Sequence, residues 1–158
     1  MLYREILVPI DGSRAAGRAL DHAVALAREE HARITLVVVI PPPKSAAAAA
    51  ASALPVQRRA WEEILERGRE RVPDDVGLTT LLLDGAPGRV ISRLASSAQY
   101  DVVVMGTHGR GRLAGALVGS VSREVLHSTS TPVLLVRADC ESAQSAPPES
   151  SAWTHTAS

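Results

Sequence analysis

Five short apolar runs alternate with amphipathic segments along this chain, and the alternation restricts its fold more than any other feature. The apolar runs predict strands over residues 6–10, 34–40, 78–83, 101–105 and 132–137. Between the runs, apolar residues recur at three- and four-residue spacing, which predicts helices after Ser13 and over 56–72, 88–97 and 119–128. Strands that alternate with helices form parallel βαβ units. We therefore predict an α/β fold, a Rossmann-like, doubly wound sheet of five parallel strands in the order 3-2-1-4-5, flanked by helices.

Length and composition indicate one domain followed by a tail. A chain of 158 residues suits a single domain, which we place at residues 1–137. Residues 138–158 are rich in Ser, Ala and Pro and lack periodicity, so we expect a disordered C-terminal tail. The Ala-rich stretch 44–53 is interpreted as a loop or a helix extension rather than as a lid.

Charge and hydropathy argue against several classes of protein. Lys plus Arg and Asp plus Glu both total 17, so no basic excess points to nucleic acid or to a membrane surface. The longest apolar run, 34–40, is far shorter than the roughly 20 residues that span a bilayer. The chain starts without a signal-peptide pattern, and its single cysteine, Cys140, excludes an intrachain disulfide. We expect a cytoplasmic protein with no membrane or nucleic-acid partner.

Two loops at the carboxyl ends of predicted strands are the candidate functional segments, because ligands of doubly wound sheets bind at that edge. Asp11 follows the first strand, and the segment 106–122 follows the fourth. Glycines at positions 106, 109 and 111 permit positive φ and a close approach of the backbone to a ligand. The helix predicted from Gly119 offers unpaired N–H groups and the positive end of its dipole, and Ser120 and Ser122 add hydroxyl donors. These features predict a site for phosphate.

Two well-known phosphate motifs do not fit the segment. A Walker A loop would need Gly-Lys-Ser/Thr where the chain has Gly-Arg-Leu at 111–113. The dinucleotide fingerprint Gly-x-Gly-x-x-Gly, begun at Gly109, would need glycine at position 114, which is Ala114. Both motifs are therefore rejected.

The pattern that does fit is Gly106-x2-Gly109-x9-Gly119-Ser120, which resembles the ATP-binding branch of the universal stress protein family with its pattern G-x2-G-x9-G-[S/T]. Ile-Leu-Val-Pro-Ile-Asp at 6–11 and Thr-Pro-Val-Leu-Leu-Val at 131–136 extend the resemblance, which covers about residues 2–137. It implies ATP at the ends of the first and fourth strands, with a divalent ion such as Mg²⁺ on the phosphates. It also implies a homodimer formed through residues 132–137.

The resemblance further assigns nucleotide contacts by position. It implies that Asp11 and the backbone of Val39 lie at the adenine and ribose end, and that the segment 105–122 surrounds the ribose and the phosphates. The implied nucleotide-binding residues are Ile10, Asp11, Val39, Met105, Gly106, His108, Gly109, Arg110, Gly119, Ser120, Val121 and Ser122. No catalytic and no metal-ligating residue is assigned. The prolines at 41–43 depart from the family pattern, so the resemblance does not assign the residues that form the pocket wall after Val39.

Several of these side chains have a second interpretation. Asp11 either contacts the ligand or only forms an Asx turn before the first helix. The imidazole of His108 is a candidate acid or base, but without an assignable nucleophile or paired carboxylate we favour a loop or phosphate contact. Arg110 either neutralises phosphate or is simply solvated. Trp61 either packs in part against its own domain or contacts a partner.

Three functions are compatible with these residues. We favour an ATP-binding, nucleotide-dependent regulator in a stress response, which acts as a dimer and does not turn ATP over rapidly. A slow ATPase or phosphate-transferring enzyme is the first alternative, and it would need a placed water or acceptor that the sequence does not reveal. The second alternative is a dimeric interaction module that binds no nucleotide.

Overall fold

A computed structural model describes residues 2–45, 49, 54–97, 99–108 and 118–138. It confirms the predicted fold, because five parallel strands form one sheet in the order β3-β2-β1-β4-β5. The strands are β1 (Glu5–Pro9), β2 (Arg33–Ile40), β3 (Leu78–Asp84), β4 (Val102–Gly106) and β5 (Val133–Val136). In the described ranges the main helices are α1 (Arg14–Glu30), α2 (Leu54–Arg69), α3 (Pro87–Ala95) and α4 (Ser120–Ser128).

The predicted tail from residue 139 onward and most of the Ala-rich stretch lie outside the described residues. The predictions for those two segments therefore stay predictions. Within the described part of the chain, no helix is long and apolar enough to cross a membrane.

Helix α1 begins where the sequence predicts. Ser13 has an extended backbone and its Oγ accepts the N–H of Ala16 at 3.2 Å, so it is the N-cap. The helix buries a stripe made mainly of alanines, which allows its axis to lie close to the sheet. The buried residues of this stripe are Ala15, Ala16, Ala19, Leu20, Ala23 and Ala27.

Helix α2 ends earlier than the sequence predicts. The apolar spacing indicated a helix to Val72, but the helix ends at Arg69. Beyond that point the N–H of Arg71 bonds to the Gly68 carbonyl and the N–H of Val72 to the Arg69 carbonyl, each three residues back. The chain has thus tightened into turns of the 3₁₀ type before Pro73.

The apolar strands separate two hydrophobic layers, one on each face of the sheet. Alternate residues of the central strands point to opposite faces, so Ile6 and Val8 pack under α1 and α2, whereas Leu7 packs under α3 and α4. The residues of β4 are all buried, as expected for a strand covered on both faces. This arrangement leaves the carboxyl edge of β1, β2 and β4 as the place where loops from both layers meet.

Candidate functional site

A cavity of about 480 Å³ opens at the carboxyl edge of the sheet. Of the twelve residues that the sequence assigned to a ligand, ten lie around this cavity. They are Ile10, Asp11, Val39, Met105, Gly106, His108, Gly119, Ser120, Val121 and Ser122. The other two, Gly109 and Arg110, lie outside the described residues.

The N-terminus of α4 supplies hydrogen-bond donors to one end of the cavity. Gly119 is its N-cap, with φ −70° and ψ 164°, and its own N–H bonds to the Thr107 carbonyl at 2.6 Å. The N–H groups of residues 120–122 belong to the first turn and have no acceptor within the helix. No acidic side chain occupies that turn, so the positive end of the dipole is not neutralised there. This end of the cavity is suited to an anion.

The hydroxyl of Ser122 is not the free donor that the sequence suggested. The side chain is buried, and its Oγ donates to the Gly106 carbonyl at 2.8 Å, with the Thr107 carbonyl at 3.4 Å. The expectation that this hydroxyl points to a ligand is therefore wrong, because its proton already links α4 to the end of β4. Ser122 retains only its backbone N–H for an anion, whereas the Ser120 side chain is exposed.

Replacement of Ser122 by alanine is expected to lower the free energy of unfolding by about 1–2 kcal/mol, because the Gly106 carbonyl would lose a buried donor. Ser120→Ala is the matched control in the same helical turn and should change it by less than about 0.5 kcal/mol, since that side chain is exposed. Urea unfolding followed by circular dichroism measures both. Equal effects of the two substitutions would contradict the structural assignment of the Ser122 hydroxyl.

Gly106 serves packing and does not adopt the positive φ that the sequence suggested. Positive φ occurs at Gly12 and Gly85 among the described glycines. A Cβ on Gly106 would lie 2.8 Å from the carbonyl carbon and the Cβ of Ala15 and from the nitrogen of Ala16. The absent side chain therefore lets the start of α1 lie against the end of β4. The sequence pattern thus identified a residue that lines the cavity, whereas the positive φ expected for it is wrong.

A hydrogen bond from a side chain joins the loops after β1 and β4. The Asp11 carboxylate accepts the N–H of Ser13 at 3.0 Å, which confirms the Asx turn, and the same residue lines the cavity. The Ser13 hydroxyl donates to the His108 carbonyl at 3.3 Å. The His108 ring lies 3.1 Å from the Thr107 hydroxyl through Nδ1. The turn and a ligand contact of Asp11 are thus compatible, and the contact stays a prediction.

The end of β2 turns backbone groups toward the cavity. In a strand, residues two apart direct their N–H and C=O groups to the same side. The Val37 carbonyl accepts the N–H of Ile10 at 2.9 Å, on the side of β1. The backbone N–H and C=O of Val39 therefore also point to the side of β1. The β1–β2 register ends at the Pro9–Val37 pair. Val39 therefore offers one donor and one acceptor to the gap beyond β1.

Sequence reasoning missed part of the cavity wall. The additional lining residues are Pro9, Ala16, Val37, Pro41, Lys44, Trp61, Pro87 and Ile91. Pro41 and Lys44 come from the segment that departs from the family pattern, and Trp61 comes from α2. No local pattern predicts the position of Trp61 in this wall, because it depends on how α2 packs on β2. Among the described residues, no group of three or more His, Cys, Asp or Glu is placed to hold a metal ion.

Comparisons with known proteins identify relatives in sequence and in fold. The chain is 30% identical to a universal stress protein of Methanocaldococcus jannaschii, with 86% of this chain and 83% of that protein covered. A universal stress protein solved in complex with cAMP has a TM-score of 0.68 and 25% identity, with 88% and 100% of the two chains covered. The universal stress protein of Archaeoglobus fulgidus in complex with dAMP shares the fold, with a TM-score of 0.61, 22% identity and 86% and 99% coverage.

A sequence model described as the universal stress protein family matches residues 2–137. That match contains all five strands and the loops at both ends of the cavity. This chain therefore belongs to the universal stress protein family.

Proposed function

We propose that this protein is an ATP-binding regulator in a stress response, in which the cavity at the carboxyl edge of the sheet holds the nucleotide. The observation that carries the proposal is the open N-terminus of α4, which directs the N–H groups of residues 120–122 to a cavity of about 480 Å³. Such a volume lies in the range of small-molecule sites. These donors fit a protein that holds ATP. The proposal includes a cytoplasmic location and the absence of rapid turnover.

The spacing of the strands fits the length of a nucleotide. In the order β2-β1-β4, the ends of β2 and β4 are separated by two strand spacings, or roughly 10 Å. The free N–H and C=O of Val39 at the β2 end match the donor and acceptor of an adenine edge. Asp11 lies between, at the end of β1, where the ribose hydroxyls would fall. The phosphates would then reach the N-terminus of α4.

Adenine nucleotides are the ligand class that the relatives support, since one was solved with cAMP and another with dAMP. ATP is proposed for this chain because the pattern Gly106-x2-Gly109-x9-Gly119-Ser120 resembles that of the ATP-binding branch of the family. A divalent ion such as Mg²⁺ would bridge phosphate oxygens and reduce their charge. The protein groups that would hold the phosphates are chiefly backbone N–H groups, which do not compete for that ion.

The direct test is to denature the purified full-length protein and to analyse the supernatant for adenine nucleotide by chromatography. Calorimetric titration of nucleotide-free protein with ATP, ADP and AMP then measures affinity. We expect bound or bindable ATP. If the protein neither retains nucleotide nor binds any of the three, the nucleotide-independent interaction module replaces this proposal. Phosphate release faster than about 1 per second would instead indicate an enzyme.

We further propose that β5 forms a homodimer contact. It is the edge strand of the sheet and pairs with β4 alone among the described strands, so one row of its backbone groups is open to a second copy. Leu134 of this strand is 44% exposed, and Leu126 of α4 is exposed to the same extent. An apolar edge of this kind favours self-association.

Leu134→Arg is expected to convert the dimer to a monomer, because it places a charge on the proposed contact. Light scattering coupled to size-exclusion chromatography measures the mass. Val56→Arg is the matched control, since Val56 is also apolar and 70% exposed but lies on α2. A dimer that survives the first substitution, or a wild type that is monomeric, would overturn the proposed contact.

A further inference from the structure

The wall of the cavity contains an aromatic side chain from a helix other than α4. Trp61 lines the cavity from α2, and Pro41 and Lys44 line it from the segment that follows β2. Trp61 is the only aromatic residue other than His108 among the described lining residues. It is half-buried and packs against the hydrophobic layer under α1 and α2. Its backbone position on a packed helix fixes where the indole can reach.

The helix that carries Trp61 packs on the β2 side of the sheet, which is the side proposed for the base and not for the phosphates. Helix α2 packs mainly on β2 and β3, and Arg58, one turn before Trp61, pairs with Asp84 at the end of β3 at 3.2 Å. This ion pair shows that the turn before Trp61 lies near the carboxyl end of β3, the strand next to β2. The N-terminus of α4 lies on the other side of β1, beyond the end of β4. Trp61 and Val39 both line the cavity, and the helix that carries Trp61 packs on the strand that carries Val39.

We propose that Trp61 is a specificity-determining residue that packs against the planar base of the bound nucleotide. The inference rests on the proposed nucleotide-binding function. Backbone donors at α4 recognise phosphate oxygens of any ligand, whereas an indole selects a ligand that also carries an aromatic ring. The wall of Trp61 and Pro41 makes this site prefer nucleosides and nucleotides over inorganic polyphosphate.

The test uses the full-length chain with Trp153→Phe, so that all tryptophan emission comes from Trp61. ATP, adenosine and tripolyphosphate are titrated by fluorescence and by calorimetry. We expect ATP and adenosine to change the emission of Trp61, and tripolyphosphate to leave it unchanged. Base stacking on an aromatic ring is strong enough that Trp61→Leu should weaken ATP about tenfold or more. Trp61→Phe, which keeps a ring, should retain ATP affinity within about threefold.

The outcomes separate this inference from the proposed function. If ATP binds the parent protein by calorimetry but Trp61 emission does not change, the stacking role is wrong and nucleotide binding stands. The same conclusion follows if Trp61→Leu binds ATP as tightly as the parent. If the parent binds no ATP, the proposed function fails and the inference fails with it. Thermal unfolding of each variant confirms that the fold is retained, and the emission measurement decides the question even if Trp61→Leu is unstable.

Discussion

Replacement of Gly119 by valine is expected to weaken ATP binding about 100-fold or more while leaving the fold intact. Gly119 lines the cavity as the N-cap of α4, so a branched side chain there would occupy the space in front of the first-turn N–H groups. Loss of two charge-assisted hydrogen bonds costs about 3 kcal/mol, and each 1.4 kcal/mol corresponds to about tenfold in affinity. Calorimetric titration with ATP measures the change.

The backbone of Gly119 makes this test specific. Its φ of −70° and ψ of 164° are extended values that any residue adopts, so valine introduces no backbone strain. Gly119→Ser is the control, because serine is small and is a preferred N-cap residue. It should retain ATP affinity within about tenfold. Undiminished binding by Gly119→Val would show that the N-terminus of α4 does not hold the phosphates.

Gly106→Ala should destabilise the domain by about 3 kcal/mol, the upper part of the usual range for overpacking a close-packed position. The new Cβ would lie 2.8 Å from backbone atoms of Ala15 and Ala16, and backbone cannot rotate away as a side chain does. Helix α1 would have to move from the end of β4. Urea unfolding at neutral pH, compared with the wild type, gives the difference in free energy.

Gly17→Ala is the matched control for that substitution, since it adds the same methyl group to α1, the helix that lies against Gly106. Its Cβ would also meet an atom at 2.8 Å, but that atom is the Nη1 of Arg71, the far end of a flexible and exposed side chain. Alanine is a better helix former than glycine by up to about 1 kcal/mol. We therefore expect Gly17→Ala to be neutral or slightly stabilising. A comparable loss of stability in both variants would mean that the Ala15–Gly106 approach is not what requires glycine.

The order of the elements was predictable because its signals are local. The apolar run that became β2 and the cap at Ser13 depend on residues within a few positions of one another. The glycine pattern could be placed at the carboxyl edge of the sheet for the same reason, since it follows directly on an apolar strand. The end of α2 was less predictable, because the turns after Arg69 interrupt a helix whose apolar spacing continues to Val72.

The composition of the candidate site was predictable only in part. Asp11 and Gly119 follow or begin elements that the sequence reveals, so they could be assigned to the cavity. Trp61 could not be assigned in that way, because its distance from Val39 depends on how α2 packs across the sheet. A charged helix with one half-buried indole has the same local pattern whether the indole faces a cavity or only the core.

Taken alone, the amino-acid sequence determined the fold class, the strand-helix order and the segment that we propose for phosphate binding, because periodicity, caps and glycine spacing act over a few residues. The tertiary structure decided what the individual atoms of that segment do. Gly106 proved to accommodate Ala15, and the Ser122 hydroxyl proved to bond to the Gly106 carbonyl. Ser13 and His108 are 95 positions apart and nevertheless bonded. Such contacts depend on where packed elements come to lie, and that is fixed only when the two hydrophobic layers close on the sheet.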